Sequence, residues 1–383
     1  MSVFKRFLVL AFLSAPAVAQ QPFQVFGARA LAMGGAGVAL DDGASSVLDN
    51  PANVPPGGVK SAATLGGFGI ESGDVLDNLS ELSGRDPAAL AQSAAQALAA
   101  ADRLRTLATP GNGILGSGQR LGAIAMSRGI AVSVTRPAWT GAYVRADLAH
   151  VSAGADPATS IRDNGSVVAF RGLSLTDYCV SGATDVVKGL RVGTSLHLLK
   201  GTTYSKEESV FTTEVDDPFP MARRGLTGDE RSRTRFSWDV GALLTFGPVR
   251  LGGVYKAINR PQFPFADGSA DAGSAITLGR QARVGAAVHI PVIGITAIGD
   301  LDLTKNQTLV PGLESRLLSG GAEGRLGIFS LRGGASVNLA SSDREKTFSA
   351  GFGFSAGVVR IDGAAVFQST QGLGGMVTVR AGL

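Results

Sequence analysis

Alternation at period two dominates the second half of this chain and limits what it can fold into. Phe236, Trp238, Val240, Ala242, Leu244 and Phe246 fall on one face of an extended segment, while Arg235, Ser237, Asp239, Gly241 and Thr245 fall on the other. Ile130, Val132 and Val134 alternate in the same way with Ala131, Ser133 and Thr135, and Val192, Leu196 and Leu198 with Gly193, Ser195 and His197. Further on, Val249, Leu251 and Tyr255 oppose Arg250 and Lys256, and Val284, Ala286 and Val288 oppose Gln281, Arg283 and His289. Leu301 and Leu303 oppose Asp300 and Asp302, Phe348 and Phe352 oppose Thr347 and Ser349, and Val359, Ile361 and Phe367 oppose Arg360, Asp362 and Gln368. A last segment sets Val377, Val379, Ala381 and Leu383 opposite Thr378 and Arg380, which predicts a closing strand.

The connections carry topology. Tight turns at Gly247-Pro248, Pro291 and Gly357 alternate with long polar stretches over residues 202–233, 259–275 and 305–312. Short turns at one end and long loops at the other are the pattern of a transmembrane antiparallel barrel. The expected fold is therefore all-β: the alternating segments number about 14 to 16, we take about 14, and each needs about 9 to 11 tilted residues to span. Mean hydropathy is +0.20, yet after the first residues no apolar run is long enough for a spanning helix. A barrel reconciles the two, because its lumen face dilutes its apolar residues.

Lys5 and Arg6 precede a run from Phe7 to Ala19 whose only polar residue is Ser14, ending in the small-x-small site Ala17-Val18-Ala19. A helix of about 13 residues rises roughly 20 Å, short of the roughly 30 Å hydrocarbon core. Residues 1–19 are thus expected to be a cleavable signal peptide that exports the chain to the outer membrane of a Gram-negative-type bacterium. Residues 20–59 follow as a Gly/Ala-rich hatch or plug, with Gly34 and Gly35 permitting close approach and Asn50-Pro51 marking a turn. The barrel is expected over residues 60–383.

Two insertions interrupt the strand pattern. Over about residues 74–110, Asp86 caps a helix with Pro87 at its first position, and Leu90, Ala94, Ala97, Ala101, Leu104 and Ala108 form one stripe. Pro110-Gly111-Asn112-Gly113 stops it, and parity places this helix in an external loop. The loop over residues 202–233 is charge-dense, with Glu207, Glu208, Asp216 and Asp217 beside Arg223, Arg224, Arg231 and Arg233. Without calcium-loop spacing it reads as solvated surface.

Catalytic and cofactor chemistry finds little support. Gly34-Gly35-Ala36-Gly37 lacks the spacing and strand-helix context of a phosphate cradle. Gly353-Phe354-Ser355-Ala356-Gly357 spells a nucleophile elbow, but a second alternating strand follows where a helix is needed. His150, His197 and His289 lack metal-ligand spacing, and the single Cys179 reads as a small apolar strand residue. No cofactor and no enzyme activity are expected. The net charge of +4 is spread among acids and glycines, which argues against a nucleic-acid partner.

The polar row is the candidate site. Arg235, Arg250, Lys256, Arg283, Arg332, Arg360 and Arg380 are expected to face the lumen with Asp239, Asp300, Asp302 and Asp362. On the lipid face an Arg or Lys at the midplane costs about 2 to 4 kcal/mol. Inside, the row reads first as a salt-bridge network that stiffens the barrel and holds the plug, and second as a weakly anion-preferring path.

The stretch Gly27-Ala28-Arg29-Ala30-Leu31-Ala32-Met33-Gly34-Gly35-Ala36-Gly37-Val38-Ala39, followed by Asn50-Pro51-Ala52, resembles the amino-terminal signature of FadL-type transporters and PorV-type secretion barrels. Phe236-Ser237-Trp238-Asp239-Val240-Gly241-Ala242, Asp300-Leu301-Asp302-Leu303-Thr304, Leu331-Arg332-Gly333-Gly334-Ala335 and Ser349-Ala350-Gly351-Phe352-Gly353-Phe354 are similar to the conjugal-transfer TraF-type branch. The resemblance implies a FadL-like barrel with its amino-terminal segment folded inside as a hatch, and a helical insertion after the first strand. It implies passage of small or hydrophobic compounds or, alternatively, a structural role in a conjugal-transfer or secretion assembly with envelope proteins as partners. A soluble periplasmic β-protein is the third expectation. Outer-membrane lipid is the partner common to the first two.

Overall fold

The computed structural model describes residues 25–150, 161–215, 217–340, 345–369 and 372–382. The expected signal peptide at residues 1–19, Asp216 and Leu383 lie outside them.

Fourteen antiparallel strands close into one barrel. In chain order they are β1 Val59–Glu71, β2 Ile114–Ser127, β3 Ile130–Arg145, β4 Val167–Val187, β5 Leu190–Ser209, β6 Asp229–Phe246 and β7 Val249–Lys256. β8 Gln281–Ile290, β9 Ile295–Asp302, β10 Leu317–Leu326, β11 Phe329–Asn338, β12 Lys346–Ala356, β13 Val359–Gln368 and β14 Gly372–Gly382 complete the wall. Closure is antiparallel between β1 and β14, with Lys60 opposite Gly382 and Ile70 opposite Leu373.

Alternation sorts the residues as the period requires. Phe236 is 52 % exposed and Leu196 48 %, on the face a bilayer covers, while Ser237 and Asp239 are buried in the lumen. A soluble protein does not leave Ile130, Val132, Phe348 and Phe352 all exposed among so many other outward apolar side chains. The short turns share one end, and each has a residue of positive φ, such as Gly189, Gly247 or Gly357, which lets a tight hairpin follow the strand twist. The hatch enters β1 from this end.

The long connections share the other end, but short and long do not alternate to the finish, since β13 and β14 are joined by residues 369–371 alone. The stretch over residues 202–233 is also less of a loop than expected. Thr202–Ser209 continues β5 and Asp229–Arg233 begins β6, because β-branched and hydroxyl residues there keep pairing, as in Thr203 with Arg231. β4 and β5 are 21 and 20 residues long while β9 has 8, so one side of the barrel stands well above the membrane.

Two helices, α1 Ala28–Ala32 and α2 Ser46–Asp49, precede β1, and further helices, beginning with α3 Val75–Ser80, clad this taller side. The stripe expected to form one helix is split into α4 Pro87–Leu90 and α5 Ala94–Leu107, because Ser93 between them is extended at φ −122° and ψ 118°. Asp86 does cap the first, its carboxylate accepting from the Ala88 N–H at 2.9 Å. Ala97, Ala101 and Leu104 are buried with Ile114, Val168, Phe170 and Met221, so α5 lies against the extended strands. On the same wall's other face, Trp139, Leu173, Leu175 and Leu199 pack with Phe263 and Ile276 of a small ribbon pairing Gln262–Pro264 with Ala275–Thr277, and with Phe265 next to it.

Candidate functional site: a hatch locked into the lumen

Residues 25–58 fill the barrel as a hatch of two short helices, α1 Ala28–Ala32 and α2 Ser46–Asp49, and one 3-10 turn, Pro51–Asn53. Ala30, Met33, Ala36, Ala39, Leu40 and Ala52 pack on Leu243, Ala287 and Ile298 of the wall. Small residues dominate because hatch backbone lies directly on wall backbone. A Cβ on Gly241 would overlap Asn50 Oδ1, and one on Gly334 would overlap the Gly34 nitrogen.

Polar contacts then fix the hatch on several sides. Gly34 N–H donates to Ser349 Oγ at 2.9 Å, and Ser349 Oγ donates to Ala32 O at 3.0 Å. Gly35 O accepts from Arg283 Nη1 at 3.1 Å, while Arg283 Nε donates to Asp302 at 2.5 Å. Asp300 accepts the Gly37 and Val38 N–H groups at 2.7 and 3.0 Å. Asn50 Nδ2 bridges Val38 O and Ala242 O at 3.1 Å each, and its Oδ1 accepts from Ala52 N–H to open the turn at Pro51. Arg250 donates to Asn53 Oδ1 at 2.6 Å, and Lys256 Nζ to Leu48 O at 2.6 Å.

The densest contact is ionic. Arg29 of α1 meets Glu323 of β10, which also accepts from Arg332 Nε at 2.6 Å and Arg360 Nη2 at 3.0 Å. Asp362 receives Arg332 at 2.7 Å, Arg360 at 3.2 Å and Arg380, and Arg380 in turn reaches Asp42 of the hatch. Glu323, Asp362 and Asp42 are each at most 2 % exposed. Carboxylates this buried are tolerable only when paired.

The expected lumen residues therefore divide. Arg250, Arg283, Asp300, Asp302, Arg360 and Asp362 sit in the lumen, and the first three touch the hatch directly. Asp239 faces inward but meets His197 Nε2 at 3.2 Å and the Ala257 N–H at 2.8 Å. Arg235 is on the inward parity yet stands at the rim, where its Nε donates to Gln262 O at 2.9 Å, because β6 rises beyond the hatch at that height. Arg29, Asp42 and Glu323 were not legible as site residues. Glycines at 320, 321 and 324 blur the alternation around Glu323, and Arg29 sat inside a motif read for its glycines.

Two cavities lie between the hatch and the long-connection end. One of about 290 Å³ is lined by Val25, Leu31, Phe68, Leu115, Trp139 and Met376 among others. The second, about 110 Å³, is lined by Phe26, Leu48, Leu175, His197, Asp239 and Lys256. In it His197 Nδ1 lies 3.0 Å from Asp177, so both ring nitrogens face carboxylates. Cys179 is buried beside them, its Sγ 3.4 Å from Ser181 Oγ. Among the described residues, no group of three or more His, Cys, Asp or Glu is placed to hold a metal ion.

A closed barrel of 14 strands with an apolar outer belt and a hatch in its lumen defines a plugged transmembrane β-barrel. Residues 48–301 match the family described as F plasmid transfer operon, TraF, protein, and the chain belongs to that family. The toluene transporter TodX of Pseudomonas putida is similar in fold, with a TM-score of 0.51 at 11% identity over 95% of this chain and 99% of that one. A TodX monoaromatic hydrocarbon channel deltaS2 mutant gives 0.50 at 11% identity, covering 94% of this chain and 98% of its own. No curated protein matches the sequence.

Proposed function

We propose that the chain, freed of residues 1–19, sits in the outer membrane and conducts small hydrophobic compounds, with the hatch as its gate and without catalysis. The observation that carries this reading is the cavity of about 290 Å³, which is bounded below by Val25, Leu31, Gly34 and Gly35 of the hatch and whose surface is mostly apolar, although Glu71, Ser117, Arg283 and Asn338 also line it. Its size is near the lower end of ligand pockets, and its lining suits an apolar solute. The likeness to a toluene transporter supports the fold of such a conduit. Passage requires the hatch to shift, since its contacts close the lumen below the cavity.

A second reading, a structural part of a conjugal-transfer or secretion assembly, draws on the family match and on how firmly the hatch is locked. Envelope secretion or transfer proteins would be its partners, and nucleic acid would not. Purified protein in liposomes separates the two. Uptake of a small aromatic hydrocarbon above that of empty vesicles supports transport. No uptake, together with co-purification of envelope proteins, overturns it in favour of assembly.

A further inference from the structure

We propose that Gln119 makes the larger cavity selective for small molecules that join an apolar body to one hydroxyl, carbonyl or amide group. The inference rests on the transport reading and names the solute class. Gln119 is 4 % exposed and lines the cavity, and neither its Oε1 nor its Nε2 has a hydrogen-bond partner among the described residues. Leu31, Phe68, Ile70, Leu115, Trp139 and Met376 line the same space. Glu71, Ser117, Arg283 and Asn338 line it too, but a buried amide with neither atom partnered destabilises a protein, so the Gln119 amide is accounted for when a bound molecule meets it.

Local geometry explains why this side chain turns inward. The pairing of β2 with β3 slips between Arg120 and Ala123, and Gln119 stands opposite Pro137, which has no N–H for the ladder. Arg120 and Leu121 consequently both face outward, and Gln119 and Gly122 are both buried. Gln119 Nε2 lies 3.0 Å from where a Cβ on Gly122 would be, and Thr135 Cγ2 3.5 Å from the same point. Thr135 Oγ1 is a second buried polar atom without a partner among the described residues. A hydroxyl donates and accepts, as a primary amide does, so one such group satisfies Gln119 where a plain hydrocarbon leaves it unmet.

The test uses the full chain folded in detergent with Trp238→Phe, which leaves Trp139 in the cavity wall as the only tryptophan of the two. Cyclohexanol and methylcyclohexane, matched in shape and heavy-atom count, are titrated against Trp139 fluorescence before and after Gln119→Leu. The expected result is about tenfold tighter binding of cyclohexanol, the worth of one well-made hydrogen bond, and loss of that preference in Gln119→Leu. The urea midpoint of Gln119→Leu is expected to equal or exceed that of its parent, because an unmet amide has been removed. A lower midpoint would show that the amide has a structural partner and would overturn the inference. Equal binding of both compounds, or a preference unchanged in Gln119→Leu, also overturns it while leaving the transport reading standing. If neither compound alters Trp139 fluorescence, the cavity is not a ligand site, and both readings fail.

Discussion

Arg29 and Glu323 meet as a fork on a carboxylate: Arg29 Nε lies 2.9 Å from Oε2 and Nη2 2.7 Å from Oε1. The two residues are 294 positions apart, one in the hatch and one in the wall, and both are buried. Such bidentate pairing gives direction as well as energy. It holds α1 against β10 in a single orientation.

Removing one partner of a buried pair leaves an uncompensated charge and typically costs about 3–5 kcal/mol. Arg29→Ala is therefore expected to loosen the hatch while the barrel stays closed. Limited proteolysis within residues 25–58 and single-channel conductance in planar bilayers both report this, and both should rise. Arg29→Lys keeps the charge but loses the fork, and should fall between the two. Unchanged proteolysis in Arg29→Ala would mean that the ion cluster does not hold the hatch.

Gly241→Ala tests the close approach of hatch and wall. The added methyl overlaps Asn50 Oδ1 and displaces the Asn50 to Ala242 hydrogen bond. Overpacking of this kind costs about 1–3 kcal/mol. Cutting Asn50 to Ala in the same chain removes the clash, so the double variant should be less unstable than the sum of the single ones. Urea midpoints of the four proteins decide, and strict additivity would refute the contact.

Asp49 gives the hatch a dependence on pH. Burial pushes its carboxyl from 3.8 up to about 7, with Asp42 and Asp300 adding to the shift and Lys256 opposing it, and its Oδ1 has no hydrogen-bond partner among the described residues. The folded hatch thus binds a proton that the unfolded chain has already released between pH 3.8 and about 7. Stability must fall as pH rises through that window and stay low above it. Asp49→Asn should flatten the profile and raise the melting temperature at pH 8 more than at pH 4. An equal effect at both values would contradict the assignment.

The outward rows of β4 and β5 predict a depth profile. Leu196→Arg, at mid-strand opposite Trp238, is expected to cost about 2–4 kcal/mol in reversible unfolding from lipid vesicles. Val187→Arg, beside the turn that joins β4 to β5, should cost about 0–1 kcal/mol. Equal costs would place the bilayer elsewhere on the wall.

Strands and their faces were legible wherever side chains alternate in size and polarity, as at Phe236 to Phe246, because the strand period is local and needs no partner to be read. β10 was not, since Gly320, Gly321 and Gly324 leave too few side chains to alternate. The split between α4 and α5 was missed because Ser93 breaks the backbone without breaking the apolar stripe. Arg332, Arg360, Asp362 and Arg380 of the ion cluster were visible as wall charges that lipid would reject. Glu323 of the wall and the hatch residues Arg29 and Asp42 were not.

By itself the sequence determined a barrel with a polar inside, an apolar outside and a Gly-rich segment before its first strand. Each of these follows from period, composition and turn chemistry within a few residues. Only the tertiary structure decided which wall charges meet the hatch, that Arg235 stands at the rim, and that Gln119 turns inward beside a register slip. Those outcomes depend on strand shear, on the unequal height of the wall and on contacts such as Arg29 with Glu323, between segments that no local pattern connects.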